Sequence, residues 1–242
     1  MNIHRNGTDY VDKYCEDNTS GWFSNDTDYT TAKRKMLKSI YENGGFYIGK
    51  HEAGISKFRT EPGNATEIPS SKANQYPYTF ITRTQAKTLA EKVNSGSHTS
   101  SLLYGVQWDL ALAFMNDKGG ATDSTLITDS KSIGNYKNNL WNISNSSVKY
   151  SDNNGGTFPS CPCKKNNNAD ILLTTGADES FSIKNIYDMA GNVWEWTLEG
   201  KPEQNDEYPC VIRGGCYSFE GKDAPANNRN SNNGIFYGST VG

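Results

Sequence analysis

Apolar residues recur at helical spacing in three places along the chain. Residues 31–43 carry one such pattern, which Gly44-Gly45 should end. YPYTFITRTQAKTLAEKVN (76–94) starts extended. It then predicts a helix with Thr84 as N-cap and Ala86, Leu89, Ala90 and Val93 on one face. SSLLYGVQWDLALAFMND (100–117) places Val106, Leu110, Leu112 and Phe114 in a further helical pattern around Trp108. Elsewhere the pattern favours strands. GFYIGKHEAGISKF (45–58) alternates apolar and polar residues and reads as strand, turn, strand. ILLTTGA (171–177) reads as a strand end, and CVIRGGCYSF (210–219) as a strand pair bent at Gly214-Gly215.

Between these elements the pattern fades. Residues 59–75 read as a loop. Residues 118–170 are rich in Asn, Ser, Gly and Lys, with little periodicity. A structureless loop of that length is uncommon in a compact domain, so short strands and turns draped over a core are expected. No linker divides the chain and no internal repeat occurs. The expected organisation is a polar segment at 1–43 with its helix, then one α+β domain at 44–242 with an Asn-rich insert at 118–170.

Composition removes several functions. The net charge is −3 with no block of like charges, which argues against a nucleic-acid partner held by electrostatics. The apolar runs are too short to span a bilayer, so no membrane insertion is expected. The N-terminus lacks an apolar signal region, which leaves the location unassigned. Five cysteines, an odd number without a signal region, do not read as a disulfide framework. The pair in CPC (161–163) could clasp a soft metal or close a disulfide, but no second pair exists, so free loop thiols are expected. Asn-x-Ser/Thr triplets such as those at Asn64 and Asn142 are expected by chance in so Asn- and Ser-rich a chain.

The segment NIYDMAGNVWEWT carries the most specific chemistry. Gly191-Asn192 makes a turn, and Asp188 and Glu195 bracket it with hard oxygen ligands of the kind Ca²⁺ takes. Trp194 and Trp196, two apart, would share one face and pack as core. From spacing alone, two carboxylates that merely hydrogen-bond the turn are the favoured account.

The ordered landmarks GGFYIGKHEAG, YGVQWDLALAF, NIYDMAGNVWEW, VIRGG and the downstream Arg229 resemble those of the formylglycine-generating enzyme (sulfatase-modifying factor) family. The resemblance runs from about residue 44 to the end. It implies a variant of the C-type lectin fold: a small twisted antiparallel sheet, two helices and much irregular chain. It also implies a structural Ca²⁺ bound by the Asp188 side chain, the Gly191 and Val193 carbonyls and the Glu195 side chain. The family's other calcium loop finds no match before residue 171.

The residues at the family's catalytic positions argue against its catalytic chemistry here. The resemblance places the two copper-binding thiolates at Phe219 and Ala224, and neither can bind a metal. Cys216 stands where the family usually has Ser. Related iron enzymes use a His-rich site, whereas this chain has only His4, His51 and His98, widely spaced. No copper or iron is expected, and the oxidase alternative is the weaker one.

NNRNSNN (227–233) has the composition of a disordered surface loop. Yet relatives that kept the fold without the enzyme include variable proteins of diversity-generating retroelements, in phage tails and on bacterial surfaces. Their C-terminal segment is rewritten by adenine-directed mutagenesis, for which Asn codons are favoured targets. The resemblance thus makes 216–237 a recognition face, with Tyr217, Phe219, Phe236 and Tyr237 as aromatic anchors and Asn228, Asn230 and Asn232 as adaptable polar contacts. The implied partner is a protein or glycan receptor on a cell surface. Assembly as a homo-oligomer, or as a structural domain of a larger phage or envelope particle, is the remaining alternative. The chain stops at TVG, where the family continues with a last strand, so either the C-terminus is truncated here or the final strand of the sheet is shortened.

Overall fold

The computed structural model describes residues 26–152, 156–200 and 210–242. His4 and Cys15 lie outside the described residues. The first helix, α1 (Asp26–Asn43), starts earlier than the pattern predicts. It ends as expected, at Gly44, whose φ of 77° lies in the left-handed region that a residue without Cβ enters freely. Tyr29 anchors it to the body, packing with Tyr104 and Leu198.

In α2 (Arg83–Ala90) the cap is Thr82 rather than Thr84. Thr82 Oγ1 accepts from the Gln85 amide at 3.3 Å, and Gln85 Oε1 accepts from the Thr82 amide at 3.1 Å. A capping box needs Glu or Gln three residues after the cap; Thr82 has Gln85, whereas Thr84 has Lys87. Ala86 and Leu89 are buried, while Ala90 is half-buried and Val93 lies beyond the helix. In α3 (Gly105–Asp117) the buried stripe is Trp108, Ala111, Leu112 and Met115, and Phe114 is exposed. The predicted set was spaced by two over 110–114, which puts alternate residues on opposite sides of a helix.

Strands are short and antiparallel. β1 (Gly54–Ile55) pairs with β2 (Tyr76–Pro77). The strand–turn–strand expected over 45–58 therefore shrinks to two residues, because its other backbone groups do not find a ladder. β3 (Trp141–Ile143) pairs with β5 (Cys163–Lys165), and β4 (Tyr150–Ser151) with β6 (Leu172–Leu173). β7 (Ser182–Ile183) and β8 (Ile186–Tyr187) form a hairpin whose two-residue loop, Lys184-Asn185, has φ of 52° and 62°. Trp141, Ile143, Val148 and Cys161 from the Asn-rich stretch build a cluster with Ile171, Leu173 and Phe181. Cys161 and Cys163 are joined in a disulfide, which corrects the expectation of free thiols.

The main sheet comprises β9 (Glu195–Gly200), β10 (Cys210–Arg213) and β11 (Arg229–Asn232), with β10 in the middle. CVIRGGCYSF is thus one strand and a bend, and its partners come from 195–200 and from the Asn run. Gly215, at φ 84°, could not carry a side chain: a Cβ there would stand 2.3 Å from the Ala224 carbonyl oxygen. Trp194 and Trp196 both enter the cluster formed with Tyr78, Ile81, Leu89 and Ile212. The final residues pair with this strand region. The Trp194 amide donates to Thr240 O at 2.8 Å, and the Gly242 amide donates to Trp194 O at 2.8 Å.

Candidate functional site

The Asn run is not a loop: four of its residues form β11. Its strand register sets Arg229 opposite Arg213, Asn230 opposite Ile212, Ser231 opposite Val211 and Asn232 opposite Cys210. Asn has low strand propensity, so tertiary pairing with the apolar β10 overrides composition here. The base of the strand is fixed by charge. Arg229 Nε donates to Glu199 Oε1 at 2.6 Å, and Arg213 Nη2 donates to Asp109 Oδ1 at 2.5 Å. Arg83, buried on α2, donates to the carbonyls of Thr197 and Glu199 at 2.7 and 3.2 Å. Gly105 makes room for this network, since a Cβ there would meet the Glu199 carboxylate at 2.3 Å. Sequence inspection selected Arg229 but missed Arg83, Asp109 and Glu199, whose partners lie more than a hundred residues away or across the sheet.

The predicted recognition residues divide into two groups. Phe219, Phe236 and Tyr237 are 43%, 40% and 46% exposed, and Ile235, which the sequence did not single out, is 53% exposed. Phe219 stands edge-on to Trp194 at 5.9 Å between ring centroids. Asn230 is exposed, and Asn228 and Asn232 are half-buried. Asn230 Oδ1 accepts from the Ser231 amide and Asn232 Oδ1 from the Asn233 amide, each at 2.9 Å. Asn228 Nδ2 donates to Asp223 O at 3.3 Å. Tyr217 does not belong to the face: it is 1% exposed, packs with Leu172 and Val193, and donates from its hydroxyl to Ser239. The Gly-Gly bend before it turns the chain inward, so its ring serves as core. Asn227 is likewise fully buried, and among the described residues its side-chain amide has no hydrogen-bond partner.

The turn at 188–195 is built as the sequence suggests. Asp188, Gly191 and Asn192 all adopt positive φ, at 59°, 73° and 57°. Gly191 is required, because a Cβ there would come within 2.5 Å of the Asn135 carbonyl oxygen. Asp188 Oδ2 accepts from the Gly176 amide at 2.7 Å. Val193 is buried, and Glu195 is half-buried, with an enclosed Oε2 that has no hydrogen-bond partner among the described residues. A third carboxylate joins them from far away in sequence. Glu52 is buried and accepts from Asn192 Nδ2, while its own Oε2 has no partner. Burial pushes Asp188 up to about 7. Burial, then the neighbouring carboxylates Glu52 and Asp188, hold Glu195 well above the ordinary range. Glu52 is raised by burial and then by Asp188. Enclosed carboxylates that raise one another lack a counter-charge, and a divalent cation would supply it. Among the described residues, no three His, Cys, Asp or Glu side chains are arranged to hold a metal ion by themselves. A cation here would therefore need the main-chain oxygens of Gly191 and Val193 beside Asp188 and Glu195.

Cys210 and Cys216 are buried, and Cys210 Sγ accepts from Arg83 Nη1 at 3.2 Å. Cys216 Sγ lies 3.2 Å from Ser218 Oγ, and burial pushes its thiol up, away from the thiolate a soft metal takes. His51 is half-buried against the Tyr187 ring, and His98 is exposed beside Tyr47.

The sulfatase-modifying factor enzyme 1-like domain matches residues 19–242. The chain belongs to this family. The match takes in all of the landmarks above, and the α+β, C-type lectin-like fold implied by the resemblance is the fold of this family member. No curated protein matches the chain. Among solved structures it is similar to CarF, at 16% identity and a TM-score of 0.41, over 87% of this chain and 80% of CarF. It is also similar to Treponema denticola variable protein 1, at 16% identity and a TM-score of 0.34, over 69% of each chain.

Proposed function

We propose that this member of the sulfatase-modifying factor family is a non-catalytic binding domain. Its recognition face is the exposed part of the C-terminal segment, and its partner is a protein or glycan receptor on a cell surface. The observation that carries this proposal is the set Phe219, Ile235, Phe236 and Tyr237: four large apolar side chains held in water within one segment. Exposed apolar groups of this kind mark interaction sites. They flank a strand fixed at its base by buried ion pairs, so a partner would not have to order them first. Display on a phage tail or bacterial surface, and genetic diversification of the segment, are parts of this proposal. A reverse transcriptase gene beside a near-duplicate of the 3′ coding sequence would support the diversification.

The test is binding of labelled protein to a panel of bacterial cells, comparing wild type with Phe236→Ser/Tyr237→Ser. Loss of cell binding with an unchanged melting curve is expected. Undiminished binding by the folded double variant would place the recognition surface elsewhere.

We also propose that Asp188, Gly191, Val193 and Glu195 hold a structural Ca²⁺. Support comes from the enclosed, unpartnered Glu195 Oε2 and the raised carboxyls around it. The cation would brace the turn that leads into β9.

A further inference from the structure

A cluster of aromatic rings lies outside the C-terminal segment. Phe58 and Phe158 meet with centroids 4.6 Å apart, Tyr76 and Phe158 at 4.9 Å, and Phe58 and Tyr76 at 6.0 Å. Phe80 adds a fourth ring, 6.2 Å from Phe58. All four side chains are half-buried, so each keeps part of its surface toward solvent. Beneath Phe58 and Phe158 lie Leu172, Val193 and Tyr217, while Tyr76 packs against the cluster that holds Trp194 and Trp196.

One of the four is held under strain. Phe80 has φ of 54°, a left-handed conformation that a bulky residue adopts only at a cost. Its amide donates to Gly238 O at 3.0 Å, and Arg59 Nη2 donates to its carbonyl at 3.1 Å. These two backbone hydrogen bonds hold the conformation in place, so the ring is presented from a fixed backbone.

The cluster is also cationic. Lys149 Nζ stands 5.3 Å from the centre of the Tyr76 ring and donates to the Tyr76 hydroxyl at 3.1 Å. Lys57 is exposed next to Phe58. Among the described residues neither lysine makes an ion pair. An ammonium group has three donors, so Lys149 keeps donor capacity after its bond to Tyr76.

We propose that Phe58, Tyr76, Phe80 and Phe158, with Lys149 at their edge, form a binding shelf for an acidic saccharide. The rings are tilted, by 49° between Phe58 and Phe158 and by 81° between Tyr76 and Phe158. They leave no flat slot for a planar ligand but present several ring surfaces to the C–H faces of a chair-shaped sugar. A uronic carboxylate would meet the unneutralised ammonium of Lys149, which supplies the charge complementarity. The shelf uses none of the exposed residues of 216–237, so it stands independently of the recognition face proposed above.

Calorimetric titration at low salt tests it, with a hyaluronan hexasaccharide as the acidic probe and chitohexaose as the uncharged one. Wild type should bind hyaluronan more tightly than chitohexaose. Lys149→Gln should weaken hyaluronan about tenfold, the loss of one charge-assisted hydrogen bond, and leave chitohexaose unchanged. Phe158→Leu should weaken both sugars, and Phe236→Ser/Tyr237→Ser should weaken neither. If Phe158→Leu fails to fold, Lys149→Gln, a change at the rim, decides by itself. Absence of hyaluronan binding, or binding that Lys149→Gln leaves intact, overturns the proposal. Tighter binding of a poly-glutamate decapeptide with the same Lys149 dependence also overturns it, in favour of an acidic peptide.

Discussion

Arg213 and Arg229 face each other across neighbouring strands, and Glu199 lies against both of them, with Asp109 as a second counter-charge to Arg213. The two Glu199 oxygens lie 3.9 Å from Arg213 Nε and 2.6 Å from Arg229 Nε. Like charges directly opposite each other in a sheet are destabilising, and more so out of water. Glu199→Ala should therefore destabilise the protein by roughly 3–5 kcal/mol, the range for breaking a buried ion pair. Chemical denaturation measures it. A loss below about 1 kcal/mol, the value of an exposed pair, would mean that water reaches the arginines.

The turn at 188–195 makes stability depend on pH in an unusual direction. Burial raises the Asp188 carboxyl from 3.8 to about 7, and Glu52 and Glu195 shift the same way. Folded Asp188 thus holds its proton more tightly than the unfolded chain does. That contribution is fully present below the unfolded value of 3.8 and is lost as pH rises through about 7. With calcium chelated, the pH-dependence should carry this downward slope between about pH 4 and 7, and Glu195→Gln should flatten part of it. Melting curves across that window, on both proteins, decide it. Identical pH profiles would show that Glu195 does not share the enclosure.

Calcium should offset the same cost. At a hundredfold excess over Kd it should add about 2.7 kcal/mol, or roughly 5–10 °C in Tm, at neutral pH. Glu195→Ala should abolish the difference between chelated and calcium-loaded protein. An unchanged Tm on chelation would mean that hydrogen bonds alone hold the turn.

Within the C-terminal segment, burial separates two classes of aromatic residue. Tyr217→Ala should cost about 3–5 kcal/mol, as for other enclosed aromatic side chains. Serine at Phe236, Tyr237 or Asn230 should stay within about ±0.5 kcal/mol. Paired melting and cell-binding measurements on these variants separate support from recognition. A mild Tyr217→Ala would contradict its place in the core.

Purified protein should not convert a Cys-x-Pro-x-Arg peptide to the formylglycine product with copper and a reductant. Phe219 and Ala224 hold the positions where the family's thiolates are expected, and Cys216 is enclosed with a raised thiol. Mass spectrometry of the peptide checks it, and turnover above a metal-free control would contradict it.

Local rules recovered what local chemistry fixes. Trp194 and Trp196 sit in the core because a spacing of two puts them on one face, and Gly44 ends α1 because the left-handed region favours it. The turn at Gly191-Asn192 was legible for the same reason. Glu52 was not, since its contact with Asn192 spans 140 residues. Tyr217 and Phe236 look alike in sequence, but Tyr217 follows the bend at Gly214-Gly215 into the core, whereas Phe236 lies in the turn after β11. The strand at 229–232 was hidden because its composition opposes the pairing that β10 imposes.

The asparagines of β11 have a consequence for self-association. Among the described residues β11 is the outermost strand of the sheet, and a bare sheet edge recruits further strands. Here the Ser231 and Asn233 amides are each met by the side chain of the asparagine before them. The run thereby occupies two of its own backbone donors locally. Valine at 230 and 232 would strengthen the strand by propensity and at the same time open it to polymerisation.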